Sequence, residues 1–353
     1  MKLALDAMGG DHAPAAAVEG AALFAREAPG HHVVLVGDAA RVESILAAGA
    51  ASAHRPANLS VRHATQVVDM GDHAAASIRQ KKDSSLRVCF DLVRDGQADA
   101  VVSAGHSGAV MAGALLVLGR MKSVERPAFA ALMPALRGGG RCLLLDAGAN
   151  VECKPSQLAQ FAVMGEAYVR AVLQRPRPRV ALLSNGEEPT KGTDLTRAAY
   201  ALLQKSDLDF RGYVEGKDIF SGEVEVVVTD GFTGNVVLKT SEGTAMAVAG
   251  LIRSAVEKAG IGEKLGALLL TPTFAGLKKV VDYAEYGGAP LLGVEGVSIV
   301  AHGRSNAKAV KNALFAALAN AQVHLKEEIA TALDRAAHWL PKKAHRKVEE
   351  AGE

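Results

Sequence analysis

The sequence predicts an α/β protein in which helices cover both faces of a mixed, mostly parallel β-sheet, giving three α/β/α layers. Short apolar runs recur along the 353 residues and alternate with stretches whose apolar residues recur at helical spacing. Many of these runs are apolar on both faces, as expected of strands that helices cover on both sides. Hydrophobic residues make up 49% of the chain but aromatic residues only 4%, so Val, Leu, Ile and Ala must build the core.

Eight apolar runs are predicted as strands. In chain order they are KLALDAM (2–8), HHVVLVGD (31–38), NLSVRHAT (58–65), ADAVVSAG (98–105), AFAALMPA (128–135), RCLLLDAG (141–148), RVALLSNG (179–186) and VEVVVTDG (224–231). Helical spacing is clearest at 15–28 and 155–173. The stretch LRGGGRC (136–142) predicts a hairpin turn between the fifth and sixth runs, and an antiparallel hairpin there makes the sheet mixed.

The chain is predicted to form a single large α/β catalytic domain over residues 1–335, followed by a charged tail at 336–353 that we expect to be disordered. Residues 258–284 form a predicted helical tip that protrudes from this domain. The tip is interpreted either as a core or dimer-interface helix, or as an apolar surface that rests on an anionic membrane beside Lys278 and Lys279. The residues predicted to contact the membrane are Leu268, Leu269, Leu270, Phe274 and Leu277.

Composition argues against several classes of function. The net charge of +2 provides no global field for nucleic acid. The three cysteines, Cys89, Cys142 and Cys153, show no CxxC spacing, so a structural zinc site is not expected and a reducing compartment is. No run of 18 apolar residues occurs, and the N-terminus does not resemble a signal peptide, so the sequence predicts a cytoplasmic protein.

No cofactor and no metal are predicted. Neither a Walker A motif nor GxGxxG after a strand is present, so the signals for a nucleotide are weak. Asp6, Asp11, Asp146 and Asp230 recur at strand ends, but no histidine or further acid accompanies them at ligand spacing.

Five predicted strands end in glycine-rich tips. They are DAMGGD (6–11), SAGHSG (103–108), DAGAN (146–150), SNGEEP (184–189) and TDGFTGN (229–235). In an open α/β sheet the ligand crevice lies beyond the carboxyl ends of the strands, where glycines admit a ligand and helix N-termini favour an anion. The five tips together predict a shared anion crevice, although glycine also closes tight turns between a strand and a helix.

Charged and polar side chains at these tips are the candidates for anion binding. Lys191 lies beside glycines and can meet a phosphate as a point charge. His12 and His106 can act in proton transfer or serve as hydrogen-bonded wall residues. No GxSxG occurs, and none of the cysteines lies in a glycine-rich tip next to a histidine, so a covalent intermediate is not expected.

Seven stretches resemble the bacterial phosphate acyltransferase (PlsX) family, the acyl-[acyl carrier protein]:phosphate acyltransferases. The resemblance runs from about residue 2 to residue 325. The stretches are DAMGGD (6–11), SAGHSGA (103–109), LDAGAN (145–150), LSNGEEPTKGT (183–193), DIFSGEVEVVVTDGFTGNVVLK (218–239), DYAEYGGAPLLGV (282–294) and IVAHGRS (299–305).

This resemblance implies transfer of a fatty acyl group from the thioester of acyl carrier protein to inorganic phosphate, for phospholipid synthesis. It also implies a homodimer with a fold like that of isocitrate dehydrogenase and phosphotransacetylase. The protein is then peripherally associated with the membrane surface, where a glycerol-3-phosphate acyltransferase consumes the acyl phosphate. Phosphate is already a nucleophile, so this reaction needs no serine or cysteine nucleophile and depends mainly on proximity and orientation.

Two residues receive catalytic roles on this basis. Lys191 is predicted to clamp phosphate, and Asn235 is predicted to donate to the oxyanion or to phosphate. Lys239 is predicted to act only as a positive charge near Lys191 and Asn235, without contacting the substrates itself. The remaining predicted phosphate-binding and substrate-binding residues are Asp6, Gly9, Gly10, His12, Gly105, Ser107, Gly108, Asn185, Gly186, Thr193, Asp230, Gly231 and Gly234.

Three other functions remain open at the level of sequence. A short-chain phosphotransacetylase would share the fold and the anion crevice but use coenzyme A thioesters and need no apolar tip. A metal-dependent decarboxylating dehydrogenase would share the fold but needs an acidic metal site. A membrane-associated scaffold would bind acyl carrier protein without turnover.

Overall fold

The computed structural model describes residues 1–48, 55–137, 140–273, 276 and 283–341. The strands in these ranges are β1 (Lys2–Asp6), β2 (His32–Gly37), β3 (Leu59–His63), β4 (Ala100–Ser103), β5 (Ala128–Pro134), β6 (Arg141–Leu145), β7 (Arg179–Leu183), β8 (Asp209–Val214), β9 (Val226–Val228), β10 (Ala289–Leu292) and β11 (Val297–Val300). They form one sheet in the order β3–β2–β1–β4–β11–β10–β5–β6–β9–β7–β8.

The sheet is mixed and mostly parallel, as predicted. Among the described strands, only the neighbours β11–β10, β10–β5 and β5–β6 run antiparallel. The predicted hairpin is confirmed, since β5 and β6 pair from Ala130 opposite Leu145 to Pro134 opposite Arg141. The antiparallel strands lie in the middle of the sheet, so they separate two parallel halves.

Three strands were not predicted from the sequence. Strands β10 and β11 have four residues each and are separated by a turn at Gly293, whose φ is +88°. Runs this short carry too little periodicity to be recognised. Strand β8 lies at the edge of the sheet and carries Asp209 and Arg211, so it lacks the apolar character of the central strands.

Helices cover the two faces of the sheet. The helices outside the projection described next are α1 (Ala15–Glu27), α2 (Ala39–Ala48), α3 (Ala74–Gln80), α4 (Ser85–Arg94), α5 (Ser107–Gly113), α6 (Pro155–Ala171), α7 (Asp194–Leu203), α10 (Ala307–Gln322) and α11 (Leu325–Ala336). In the β1 half, α1 and α10 pack on one face and α4 and α5 on the other. In the β6 half, α6, α7 and α11 cover one face. The predicted three-layer α/β/α architecture is therefore confirmed.

Two helices leave the body of the domain. Helix α8 (Gly231–Lys258) buries only Gly231 and Gly234, and helix α9 (Ile261–Leu269) has no buried residue. Leu269 is 82% exposed, and Leu268 and Leu270 are also exposed. Phe274 and Leu277 lie outside the described residues, so contact of this tip with a membrane or a second chain stays a prediction. None of the described helices is both long enough and apolar enough to span a membrane.

The end of the chain differs from the predicted boundary at residue 336. Trp339 and Leu340 still pack against the apolar core beneath α6 and α11. Folded structure therefore continues to about residue 340, because these apolar side chains follow the last helix and find a surface to cover. Residues 342–353 of the predicted tail lie outside the described part of the chain.

Candidate active site

A cavity of about 430 Å³ lies beyond the carboxyl ends of β4, β6 and β11. Its walls include Gly105 after β4, Gly148 after β6, and residues 301–305 after β11. Strand ends from both parallel halves of the sheet therefore meet here, at the kind of edge where α/β sheets bind ligands.

The first turns of α8 form one wall of the cavity. Asn235, Lys239 and Glu242 all line it, and their spacing of four and three residues places them on one face of the helix. Asp230 caps this helix, since its Oδ1 accepts from Thr233 N at 2.8 Å and its Oδ2 from Thr233 Oγ1 at 2.8 Å. Both oxygens of the Asp230 carboxylate thus accept hydrogen bonds from the first turn of α8.

The glycines that begin α8 fit against the 146–150 loop. A Cβ on Gly231 would lie 2.6 Å from Asn150 O and 2.7 Å from Asp146 Oδ2. A Cβ on Gly234 would collide with the backbone oxygen of Asp146. The structure therefore gives both glycines a packing role, because they let α8 rest directly on the loop. Contact of these glycines with a substrate stays a prediction.

Asp146 organises that loop. Its Oδ1 accepts from Phe129 N at 3.0 Å, Gly148 N at 3.1 Å and Ala149 N at 2.9 Å. Its Oδ2 accepts from Asn150 N at 2.7 Å and from Asn150 Nδ2 at 2.9 Å. Burial raises the pKa of the Asp146 carboxyl, although the hydrogen bonds it accepts act in the opposite direction.

This loop in turn positions Asn235. Gly148 has φ of +135°, and a Cβ built there would lie 3.5 Å from Cβ and Cγ of Asn235. The predicted catalytic Asn235 therefore stands over a strand tip that is held by many hydrogen bonds, with its amide at the cavity wall.

The predicted residues that follow β1 lie behind this cavity. Asp6 is buried; its Oδ2 accepts from Ser103 Oγ at 2.7 Å and its Oδ1 from Met8 N at 3.2 Å. Burial raises the pKa of the Asp6 carboxyl. Gly9, Gly10 and His12 line a separate small cavity together with Asp6. In this structure the Asp6 carboxylate thus braces β1 against β4.

Only some of the predicted residues in the tip after β4 line the large cavity. Gly105 and Ser107 line the large cavity, as predicted for residues of one crevice. Gly108 instead lies against the His106 ring, whose Cε1 would be 2.9 Å from an added Cβ. His106 Nδ1 accepts from Ala109 N at 3.1 Å, so this histidine caps α5.

The 184–193 loop lies apart from the cavity. Asn185, Gly186, Lys191 and Thr193 do not belong to the described cavity lining, and all except Gly186 are exposed. Asn185 Oδ1 accepts from Gly192 N at 3.0 Å, and Thr193 caps α7. The structure brings Asn235 to the cavity wall together with Gly105 and Ser107 but does not bring Lys191 there.

Several cavity residues were missed by sequence reasoning. His302, Arg304 and Ser305 come from the turn between β11 and α10, and Asp11 and Glu242 line the same cavity. The stretch IVAHGRS held the signal, but β11 was not predicted, so its tip was not counted among the strand ends. Because β11 was not predicted, the cavity wall formed by residues 301–305 was not predicted either.

A cluster of nitrogen-bearing side chains occupies that wall. Lys239 Nζ donates to Glu242 Oε2 at 2.9 Å and lies 3.4 Å from His302 Nε2. Arg304 N donates to His302 Nδ1 at 3.1 Å. Burial, and then the charge of Lys239, lower the pKa of His302, which favours its neutral imidazole. Within the described ranges, no three His, Cys, Asp or Glu side chains are grouped so as to hold a metal ion.

An apolar groove of about 1010 Å³ adjoins the polar cavity. It runs between α8 and strand β5, and its lining includes Met133, Val248 and Ile252. Leu132, Leu238, Glu242 and Tyr286 line both spaces. A cavity lined by charged, polar and apolar side chains thus adjoins a mostly apolar groove.

Known proteins share this sequence over nearly its whole length. A family model described as "Fatty acid synthesis protein" matches residues 1–327. A phosphate acyltransferase from Myxococcus xanthus (strain DK1622) is 67% identical over 342 residues, which cover 97% of this chain and 96% of that protein. The chain belongs to the phosphate acyltransferase family. As a member of this family, the protein is an acyltransferase, and the predicted resemblance is confirmed.

Other members and structural neighbours agree with this placement. A phosphate acyltransferase of the same family from Anaeromyxobacter dehalogenans (strain 2CP-1) is 55% identical over 94% of this chain and 90% of its own length. A phosphotransacetylase from Streptococcus pyogenes superposes with a TM-score of 0.60 at 17% identity, covering 92% of this chain and 94% of that one. A 4-hydroxythreonine-4-phosphate dehydrogenase from Klebsiella pneumoniae gives 0.53 at 15% identity, with 91% and 99% covered. These structures show the fold alone, and they confirm a phosphotransacetylase-like architecture.

Proposed function

We propose that the protein transfers a long-chain fatty acyl group from the thioester of acyl carrier protein to inorganic phosphate, and that the acyl phosphate feeds phospholipid synthesis. The observation that carries this proposal is the junction of the polar cavity with the apolar groove, where Leu132, Leu238, Glu242 and Tyr286 line both. A thioester carbonyl at this junction has its acyl chain in the groove and faces an anion in the cavity.

The reaction needs no covalent enzyme intermediate. An oxygen of the phosphate dianion attacks the thioester carbonyl carbon, the carbon–sulfur bond breaks, and the proton of the phosphate balances the charge on the departing sulfur. Asn235 donates from its amide to the carbonyl oxygen as negative charge develops there. The remaining acceleration comes from holding phosphate and thioester in line.

The size of the groove favours a long acyl chain over the short-chain alternative. Burying each methylene contributes about 0.8 kcal/mol, so an acyl chain of fatty acid length gains far more from an apolar groove than an acetyl group does. An acetyl group would fill only a small part of this groove of about 1010 Å³.

The exposed projection supports the proposed partners. Helix α8 exposes Phe232, Met246 and Leu251, and α9 exposes Leu269. Apolar surface of this extent favours association, which we propose is with a second copy of the chain along α8 and with an anionic membrane surface at α9. At the membrane, the acyl phosphate would pass to a glycerol-3-phosphate acyltransferase. The proposed reaction involves neither a nucleic acid nor a cofactor.

The decisive assay supplies the thioester and phosphate together. Purified protein is incubated with palmitoyl-acyl carrier protein and phosphate, and acyl phosphate and free thiol are measured with and without a chelator. We expect both products in equal amounts, insensitive to the chelator. Activity with acetyl-coenzyme A alone would identify a short-chain phosphotransacetylase, and binding without either product would identify a scaffold.

Asn235→Ala tests the proposed oxyanion donor. Loss of one such donor costs about 3 kcal/mol of transition-state stabilisation, so we expect kcat to fall by two orders of magnitude or more. Val236→Ala is the matched control, because Val236 is the next residue of α8 and does not line the cavity. Equal activity of the two variants would remove Asn235 from the reaction.

A tryptophan in the groove tests the acyl site. Ala249 lines the groove, whereas Ala247 on another face of α8 does not. Ala249→Trp should suppress transfer of palmitoyl groups while sparing butyryl groups, because only the longer chain reaches that part of the groove. Ala247→Trp should affect neither. Equal loss for both chain lengths in Ala249→Trp would reject the groove as the acyl site.

The membrane proposal has its own test. A protein with both Leu269→Glu and Leu270→Glu should sediment with anionic phospholipid vesicles less than the parent protein does, because charge in an exposed apolar tip opposes insertion. Unchanged sedimentation would show that another surface contacts the membrane.

A further inference from the structure

The hydroxyl of Ser305 is buried without a protein partner. The residue is 3% exposed, and among the described residues its Oγ makes no hydrogen bond. Ser305 lines both the large cavity and the small one behind it. A buried hydroxyl left unsatisfied costs about 1–3 kcal/mol, so a water or a ligand is expected to complete what the protein chain does not supply.

Ser305 stands at the N-terminal end of a long helix. Helix α10 has 16 residues and begins at Ala307, and Asn306 caps it by accepting from Ala309 N at 3.0 Å. The N-terminal end of a helix carries partial positive charge, and this end faces the cavity through residues 303–305. The unpartnered hydroxyl and the helix end therefore point to the same kind of ligand, an anion.

The α8 wall brings a cation to the same place. Lys239 Nζ lies 3.4 Å from His302 Nε2. Because His302 Nδ1 accepts from Arg304 N, the hydrogen of the neutral ring is on Nε2. The ammonium and the ring N–H are both donors, so they do not bond to each other, and an acceptor atom beside Lys239 can receive from the ammonium.

The charges of the cavity do not exclude an anion. Asp11 and Glu242 are acidic and line it, while Lys239 and Arg304 are basic and line it as well. Glu242 Oε2 holds the Lys239 ammonium at 2.9 Å, which keeps the cation at the wall and leaves other ammonium hydrogens for a ligand. The helix end and the Ser305 hydroxyl then add attraction for an anion that formal charges do not count.

We propose that inorganic phosphate binds in this cavity at the turn between β11 and α10, where the Ser305 hydroxyl and the Lys239 ammonium donate to its oxygens. The assignment of phosphate as the anion rests on the proposed function. Glu242 acts as the positioning residue for Lys239. Asn235, one turn before Lys239 on the same face of α8, then lies beside the bound phosphate, where the thioester carbonyl must approach.

This subsite differs from the phosphate clamp that the sequence predicts. Lys191 belongs to an exposed loop that does not line the cavity, whereas Lys239 lines it. Substitution of Lys239 should therefore change how the rate depends on phosphate concentration, whereas substitution of Lys191 should not.

The test separates phosphate binding from thioester binding. In steady-state kinetics, Ser305→Ala and Lys239→Gln should each raise KM for phosphate by about tenfold or more, which is the loss expected for a hydrogen bond to a charged group. KM for the acyl thioester should stay within about twofold, because that substrate lies in the groove. Unchanged KM for phosphate in both variants would overturn the subsite, as would a larger rise in Lys191→Gln than in Lys239→Gln.

Two control variants match the test variants. Ser298 also has a buried Oγ without a described partner, but it lies in β11 and lines a different cavity. Ser298→Ala and Lys205→Gln, at an exposed lysine after α7, should leave KM for phosphate unchanged. If Ser305→Ala melts at a much lower temperature, Lys239→Gln still decides, since Lys239 is half exposed and its loss leaves the core intact.

A binding measurement tests the phosphate subsite separately from the proposed acyl-transfer reaction. Inorganic phosphate alone should raise the melting temperature of the parent protein, and this rise should be reduced in Ser305→Ala and Lys239→Gln. If no thioester yields acyl phosphate while these differences in melting persist, the proposed function fails and the anion subsite stands. If acyl phosphate forms but phosphate protects all variants equally, the subsite fails and the function stands.

Discussion

The strands on either side of β9 end in opposite ways. Strand β6 continues into a loop whose Asp146 accepts five hydrogen bonds and on which α8 rests. Strand β7 continues into the exposed 184–193 loop, which holds Lys191 and in which Asn185 Oδ1 accepts from Gly192 N. The ordered tip carries one wall of the cavity, and the exposed tip stays outside it.

The difference shows that the residue types at a strand tip do not reveal which tip faces a ligand. Both loops contain glycine, asparagine and a charged residue, which is why both were counted among the five strand tips of the predicted anion crevice. Position in the sheet decides, because strands β4, β11 and β6 converge with α8 on one cavity while β7 is one strand beyond β9. A firm loop also costs less ordering when it binds a substrate.

The largest expected effect comes from separating α8 from the 146–150 loop. Gly234→Ala places a methyl group against the backbone oxygen of Asp146, and such overpacking costs about 3 kcal/mol of unfolding free energy. Gly243→Ala, in the same helix with open space around it, should stabilise the protein by up to about 1 kcal/mol. Urea denaturation measures both, and equal effects would contradict the role assigned to the contact.

The second prediction removes the acceptor at the centre of the ordered tip. Asp146→Asn turns an NH₂ group toward backbone N–H donors, so we expect a loss of about 2 kcal/mol in unfolding free energy and a matching loss of activity. Asp6→Asn is the matched control, because Ser103 Oγ can rotate to accept from the new amide. A protein with Asp146→Asn as stable as that with Asp6→Asn would show that the loop is not held by this carboxylate.

The third prediction concerns pH. Burial raises the pKa of Asp6 above its unfolded value, so the folded state binds more protons than the unfolded state between these two values. The free energy of unfolding should therefore fall as pH rises from the ordinary aspartate pKa through the raised one. Asp6→Asn should remove this part of the decline when urea midpoints are compared across pH. An identical pH dependence in both proteins would show that Asp6 does not titrate in this way.

The smallest effect is expected at the exposed tip. Asn185→Ala removes the hydrogen bond from Gly192 N, and because solvent replaces it, the cost should be about 0.5 kcal/mol. Hydrogen exchange should show faster exchange at Gly192 and unchanged exchange at Gly148. A loss of stability comparable to that of Asp146→Asn would erase the contrast between the two tips.

Long apolar runs made most of the sheet predictable. KLALDAM and RCLLLDAG are apolar on both faces and became the interior strands β1 and β6. Strand β11 was missed because four residues between glycines carry no usable period, and its omission hid His302, Arg304 and Ser305. Asn235 was found because the stretch DGFTGN marks a helix start. The packing role of the two glycines in this stretch was not predicted, because their contact with Asp146 joins residues that are far apart in the chain.

Local chemistry determined the fold class, the strand–helix alternation and the presence of glycine-rich strand tips, because hydrophobic periodicity and backbone freedom act over a few residues. Tertiary structure alone decided which tips share a cavity and which lysine faces it. That choice depends on strand order, and strand order is set by packing among distant segments such as β6, β9 and β11. Lys191 and Lys239 look alike as lysines beside glycine-rich tips, and only the arrangement of the sheet separates them.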